Sequence, residues 1–214
     1  MLIYGGNGFT KLVIDSLESQ SIKIDGIFDD EPLQGSLDNY TYLGKYHNMT
    51  MKEEEILVAR EDNILRKYIA ESITHKAGKI AHSSAHIYDN VQYGPGSIIL
   101  HHSAILPDVK IGTHVIINAG AIVERDTVID DFVTIGQSST ICSNVKLELG
   151  SYVGPSATVL SNVKVGKWAS IAAGSVIIND VPDFAIVVGN PGKIVKYRDM
   201  KIVKGKQGIF TPYR

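Results

Sequence analysis

The stretch Ile111-Gly112-Thr113-His114-Val115-Ile116-Ile117-Asn118-Ala119-Gly120-Ala121-Ile122-Val123 states a rule that holds from Ile87 to Val181. Every sixth residue is aliphatic: Ile87, Ile99, Ile105, Ile111, Ile117, Val123, Ile129, Ile135, Ile141, Leu147, Val153, Val159, Val165, Ile171 and Ile177, with Tyr93 as the one exception. Four residues after each comes a small or β-branched side chain, as in Ser97, Ser103, Val109, Val115, Ala121, Thr127 and Val133. A fixed short period is the mark of a solenoid. A sandwich of ordinary strands would instead carry turn signals every 8 to 12 residues or so, with loops of uneven length. Three flat faces of one hexapeptide each close a triangular coil of about eighteen residues, given a rise of about 3.3 Å per residue. The aliphatic residue fills the prism, the small residue sits near the turn, and coils stack by parallel pairing. Glycine, Asn and Asp after the aliphatic position, as in Ile111-Gly112 and Ile177-Ile178-Asn179-Asp180, predict corners with unusual dihedrals. The spacing carries no handedness.

Outward from the repeat, the first 78 residues read differently. Leu2-Ile3-Tyr4 is a short apolar strand, followed by Gly5-Gly6-Asn7-Gly8 and a helical stretch with Leu12, Val13 and Leu17 on one face. Strand, glycine turn and helix N-terminus together predict a phosphate cradle of free backbone N–H groups. Ile24 to Phe28 reads as a second strand ending in Asp29-Asp30, an acidic pair placed to meet ribose hydroxyls. Ile56 to Ala59 is a buried strand, and a helix follows from about Asp62, its cap, to Ile73. This is a small Rossmann-like α/β domain. It is too short for a second mononucleotide half, so a single nucleotide is expected rather than a dinucleotide. The expected division is 1–78 for this domain, 79–182 for the prism and 183–214 for a closing segment and tail. The tail is basic, with Lys193, Lys196, Arg198, Lys201, Lys204 and Lys206 against Asp199.

Composition narrows the setting. A net charge of −2 predicts no nucleic-acid partner. A single cysteine, Cys142, excludes an internal disulfide and suits a reducing cytoplasm. No charged leader or long apolar run is present, so neither a secretory signal nor membrane insertion is expected. No metal site is suggested.

A short Rossmann-like domain followed by a hexapeptide prism resembles the sialic acid O-acetyltransferase and nucleotide-amino-sugar N-acetyltransferase family. The motifs that carry the resemblance are Ile3 to Gly8, Phe28-Asp29-Asp30, the repeat, and the exit Val188-Gly189-Asn190-Pro191-Gly192-Lys193. The exit is similar to the family's Gly-x-Pro-Ala-Lys closing segment, with Gly192 in place of alanine. The resemblance implies a left-handed parallel β-helix, a homotrimer, and acetyl-CoA as cosubstrate in the groove between prisms. It implies donor contacts at Gly154, Ala172, Ala173, Gly174 and Lys193. It also implies a nucleotide-linked amino sugar held by Gly5, Gly6, Asn7, Gly8, Asp29 and Asp30.

One departure bears on the chemistry. The family's general-base histidine falls on Arg125, and its second histidine falls near Thr134. All seven histidines lie before residue 115. A hydroxyl acceptor needs a base, which supplies about 10²- to 10⁴-fold. A partly neutral amine can attack a thioester directly. The expected activity is therefore N-acetylation of a UDP- or dTDP-linked amino sugar in surface-glycan synthesis. Glu124 or Asp126 would take the proton, and Arg125 would bind an anion or pair with Asp126. His101 offers another route, approaching Glu124 of a neighbouring chain. A sugar O-acetyltransferase and a catalytically silent binder of nucleotide sugar or CoA are the alternatives.

Overall fold

The computed structural model describes residues 1–199; Lys201, Lys204 and Lys206 of the basic run lie outside the described residues. The chain begins with a three-stranded parallel sheet of β1 (Leu2–Tyr4), β2 (Gly26–Phe28) and β3 (Ile56–Val58), in the order β2-β1-β3. Helix α1 (Gly8–Ser19) follows β1, and α2 (Asn63–Ser72) follows β3. Asp62 caps α2 as its sequence position predicts, with its Oδ1 accepting from Leu65 N–H at 2.8 Å. In α1, Val13 and Leu17 are buried, whereas Leu12 turns outward and is 37% exposed. The buried stripe of α1 is instead completed by Phe9, Thr10, Ile14 and Ser16.

From Ile80 onward the chain coils into a three-sided β-helix. Strands of two residues alternate with four-residue corners, and each strand as far as Thr158–Val159 pairs in parallel with the strand eighteen residues on, as Ile98 with Ile116 and Thr134 with Tyr152. The three faces hold eight, six and five strands. The first face includes Ile80–Ala81, Ile98–Ile99, Ile116–Ile117, Thr134–Ile135, Tyr152–Val153 and Ser170–Ile171. It closes on Ala185–Val188 and an antiparallel strand, Lys193–Tyr197. The aliphatic residues at every sixth position form one continuous core, with Ile99, Ile105, Ile117, Val123, Ile135 and Ile141 wholly buried and Tyr93 packed against its edge. Burying each such side chain is worth about 1.5–3 kcal/mol.

The corners follow their own six-residue rule. A left-handed backbone falls at every sixth residue from Gly96 to Gly174, and ten of these fourteen positions are not glycine. They include His102, Asp108, His114, Asp126, Phe132, Asn144 and Trp168, all with φ between 52° and 66°. The unusual dihedral thus lies three residues after the aliphatic residue, not at the glycine that directly follows it. That glycine serves close stacking. A Cβ on Gly154 would lie 2.6 Å from the Ala173 nitrogen of the next coil. Gly192, where the resembling family has alanine, is equally confined, since a Cβ would lie 2.6 Å from Ile177 Cδ1.

The first domain docks on the outer side of the first face. Ile98, Leu100 and Ile116 share a buried cluster with Ile3, Phe9, Val13 and Leu17. Arg66 of α2 is fully buried and reaches across to His114 O, Phe132 O and Thr134 Oγ1, each at 3.0 Å. Asn63 Nδ2 donates to Gly150 O and Ser151 O, both at 3.0 Å. Buried polar groups survive only when bonded, and this seam bonds them.

Candidate functional site

Three groups of residues merit description as a site, and the fold keeps them apart within one chain. The first is the C-terminal edge of the small sheet. Gly5 runs at φ 129°, and a Cβ there would lie 2.8 Å from Ala59 O, so only glycine fits. Gly8 opens α1 and faces free space. Three of this loop's amides, those of Gly5, Gly6 and Asn7, are already paired within the chain, where the sequence reading expected free N–H groups. Gly5 N–H donates to Phe28 O at 2.8 Å. Asn7 N–H donates to Thr10 Oγ1, closing a capping box with Asn7 Oδ1 and Thr10 N–H. Gly6 N–H donates to Asp29 Oδ2 at 2.5 Å. Asp29 also accepts from Arg60 Nη2 at 2.6 Å and from Glu31 N–H at 3.0 Å. Asp30 is exposed beside Tyr4, whose hydroxyl pKa is pushed up by burial and then by the Asp30 carboxylate. Arg60 carries no motif that the glycine reading would seek.

The second group is the corner Glu124-Arg125-Asp126. Glu124 Oε2 accepts from Ser143 N–H at 3.0 Å and from Ser143 Oγ at 2.6 Å, on the adjacent coil. Both bonds fall on one oxygen, and Oε1 accepts no hydrogen bond among the described residues. Arg125 Nη1 donates to Asp126 Oδ2 at 2.8 Å in an exposed pair, their side chains 66% and 47% accessible. The neighbouring Cys142 thiol is pushed up by burial and by the Glu124 carboxylate, which makes it a poor nucleophile. Thr134, near which the resemblance puts the family's second histidine, is sealed in the docking seam. It donates to Asn63 Oδ1 at 2.6 Å and accepts from Arg66. His101 and His102 lie with His82 at a different corner, beside Asp15 of α1.

The third group is Gly154 and, one coil on, Ala172, Ala173 and Gly174. They share one corner, and Lys193 stands exposed on the final strand. Coil stacking alone demands glycine at 154, so its smallness does not by itself mark a donor groove. This corner and the Glu124 corner are different edges of the prism.

Sequence reasoning missed a polar cavity of about 330 Å³ between the two domains. Glu61, Asp62, Gln137, Tyr152, Ser170 and Arg198 are among its walls. Tyr152 and Ser170 are outward positions of the repeat, which the inward pattern does not distinguish. Burial lowers the Arg198 pKa, with Asp62 opposing the shift. Among the described residues no group of His, Cys, Asp or Glu is arranged to hold a metal ion, and no helix is long and apolar enough to cross a membrane.

The fold is that of the hexapeptide-repeat sugar acetyltransferases, as the sequence resemblance implied. Residues 1–73 match the family of the PglD N-terminal domain. Among solved structures, the chain is similar to PerB from Caulobacter crescentus in complex with CoA and GDP-perosamine. That likeness has a TM-score of 0.85 at 28% identity, over 91% of this chain and 96% of that one. It is also similar to the acetyltransferase domain of PglB from Neisseria gonorrhoeae FA1090, solved with acetyl coenzyme A. There the TM-score is 0.83 at 25% identity, over 91% and 98% of the two chains. Among curated proteins, a stretch of 37 residues is 54% identical to serine acetyltransferase from Bacillus pumilus (strain SAFR-032). The same length is 49% identical to serine acetyltransferase from Bacillus subtilis (strain 168). Each of these matches spans 17% of this chain and 17% of the relative.

Proposed function

We propose that this protein is an acetyl-CoA-dependent N-acetyltransferase acting on the amine of a nucleotide-linked amino-deoxy sugar. The observation that carries the reading is the similarity to PerB over both domains, since PerB is solved with CoA and GDP-perosamine. The nucleotide end lies on the sheet edge at Gly5 to Gly8, with Asp29 and Asp30. The thioester lies along the Gly154 and Ala172–Gly174 corner, with Lys193 toward a CoA phosphate. The working unit is a homotrimer in the cytoplasm serving surface-glycan synthesis, in which the Glu124 corner of one chain meets the donor corner of the next.

In this reading the neutral amine attacks the thioester carbonyl carbon. A C–N bond forms, the C–S bond breaks, and the proton lost by nitrogen balances the thiolate that leaves. Glu124 orients the amine through its open Oε1 and accepts that proton. Ser143 holds the carboxylate in place, and Arg125 stays cationic and cannot act as base. Holding both substrates in register supplies much of the rate.

The test is release of CoA from acetyl-CoA with a panel of UDP-, dTDP- and GDP-linked amino sugars. Turnover of at least one amino sugar well above buffer is expected. Turnover of hydroxyl-only acceptors alone would move the assignment to O-acetylation. No release with any acceptor would leave a binding protein without this activity.

A further inference from the structure

At the edge of the small sheet, the strand order β2-β1-β3 brings three chain segments to one point. Asp29 arrives from the end of β2, Gly6 from the end of β1, and Arg60 from beyond the end of β3. Asp29 Oδ2 accepts from both Gly6 N–H at 2.5 Å and Arg60 Nη2 at 2.6 Å. The Asp29 side chain is 10% accessible and that of Arg60 is 19% accessible, so the pair is largely removed from water. The guanidinium is bound unevenly. Arg60 Nε is buried and has no acceptor among the described residues. A buried donor left unpaired costs about 1–3 kcal/mol. A guanidinium presents Nε–H and Nη–H as a parallel fork, which suits two oxygens of one phosphate. The carboxylate of Asp29 fills only one tine of that fork.

We propose that Arg60 is a phosphate ligand and that Asp29 holds the place of that phosphate in the empty protein. The proposal deepens the nucleotide-sugar reading and rests on it for the source of the phosphate. On binding, a phosphate takes Gly6 N–H and both Nε–H and Nη2–H of Arg60. The displaced Asp29 carboxylate turns to accept from the ribose hydroxyls, so one exchange both seats the phosphate and frees the ribose contact. Asp29 therefore opposes a bare phosphate and favours a nucleoside diphosphate. The guanidinium touches neither the amine nor the thioester, so it is a positioning residue.

The two roles of Asp29 predict opposite signs for one substitution. Calorimetric titration of the full chain with inorganic pyrophosphate and with UDP, dTDP and GDP separates them. In Asp29→Asn, pyrophosphate is expected to bind several-fold more tightly than in the parent protein, because its competitor is gone. The nucleoside diphosphate that binds the parent is expected to bind the same variant at least fivefold more weakly. Arg60→Met is expected to weaken both ligands by tenfold or more. Arg60→Lys keeps the charge, loses the fork, and should fall between parent and Arg60→Met. Thermal melts of each variant separate lost binding from lost folding. Weaker pyrophosphate binding in folded Asp29→Asn, or unchanged pyrophosphate binding in both Arg60 variants, overturns the proposal. If pyrophosphate behaves as expected while no nucleotide binds, the phosphate site stands and the nucleotide-sugar reading falls.

Discussion

The docking seam around Arg66 and the corner at Glu124 are made from the same kind of position, the outward residues of a hexapeptide coil. Their fates are opposite. In the seam, Thr134 is 1% exposed and its hydroxyl is enclosed by Asn63 and Arg66. At the corner, Arg125 and Asp126 pair in open solvent. The family resemblance sets one histidine position on Arg125 and a second near Thr134, and the residue found at each suits its surroundings. A hydroxyl fits the sealed network at 134, where a wholly buried guanidinium leaves no room for a free base. A cation fits the open corner at 125. The seam is therefore expected to govern stability, and the corner to govern turnover.

The sharpest way to break that contrast is Arg66→Met. It leaves His114 O, Phe132 O, Arg60 O and Glu61 O without their common donor. Each unmet buried acceptor costs about 1–3 kcal/mol. A loss on the order of 3–5 kcal/mol in urea unfolding is expected, with the first domain melting before the prism. A single transition within about 1 kcal/mol of the parent would mean that the seam contributes little.

Next in size is Glu124→Gln. It keeps shape and hydrogen bonding to Ser143 but removes the charge. The expected result is a fall in kcat of about 10²-fold, equivalent to about 2.7 kcal/mol, with both KM values within twofold. The melting temperature should hardly move, because Glu124 touches only the adjacent corner. Unchanged kcat with a lowered melting temperature would reverse the contrast and make Glu124 a structural brace.

These two residues also mark what the sequence could and could not convey. The prism is legible because its inward residues obey one steric demand repeated sixteen times, and each repeat reinforces the reading. The left-handed corners are less legible, since Phe132 and Trp168 adopt a conformation that their residue types do not announce. Arg66 reads as an ordinary polar residue of an amphipathic helix. Its burial depends on a surface that lies between 48 and 68 residues further along the chain. Arg60 is hidden for the same reason, because only the strand order sets it opposite Asp29. The glycine loop is legible as a turn, but the amides of Gly6 and Asn7 are taken by groups that spacing does not bring to mind, Asp29 and Thr10.

A smaller effect probes the seam by pH. His114 stacks flat on Phe132 at 5.1 Å, and its carbonyl accepts from Arg66. Burial lowers its imidazole pKa, Arg66 lowers it further, and Asp131 opposes them. The unfolded chain then binds a proton more readily than the folded one. Stability is complete above the ordinary histidine pKa of about 6.5 and declines as pH falls below it. A drop of a few degrees in Tm between pH 7 and pH 5 is expected. His114→Asn, which tolerates the left-handed corner, should flatten this part of the profile. An equal drop in the variant would assign the pH dependence to other groups.

The smallest effect is expected at Arg125→Ala, and its size is the point. The pair with Asp126 is exposed, and such pairs contribute about 0–1 kcal/mol and weaken with salt. The corner backbone does not depend on it. Arg125 O accepts from Asn144 N–H at 3.0 Å and Asp126 N–H donates to Pro107 O at 3.2 Å, whatever the side chain at 125. Urea unfolding of Arg125→Ala should lie within about 0.5 kcal/mol of the parent in both 0.05 M and 0.5 M salt. A loss above about 2 kcal/mol would place Arg125 with Arg66 as part of the fold. A null result has the opposite force. A position that stability leaves free, next to a carboxylate with an open oxygen, can be set by the chemistry of the acceptor alone.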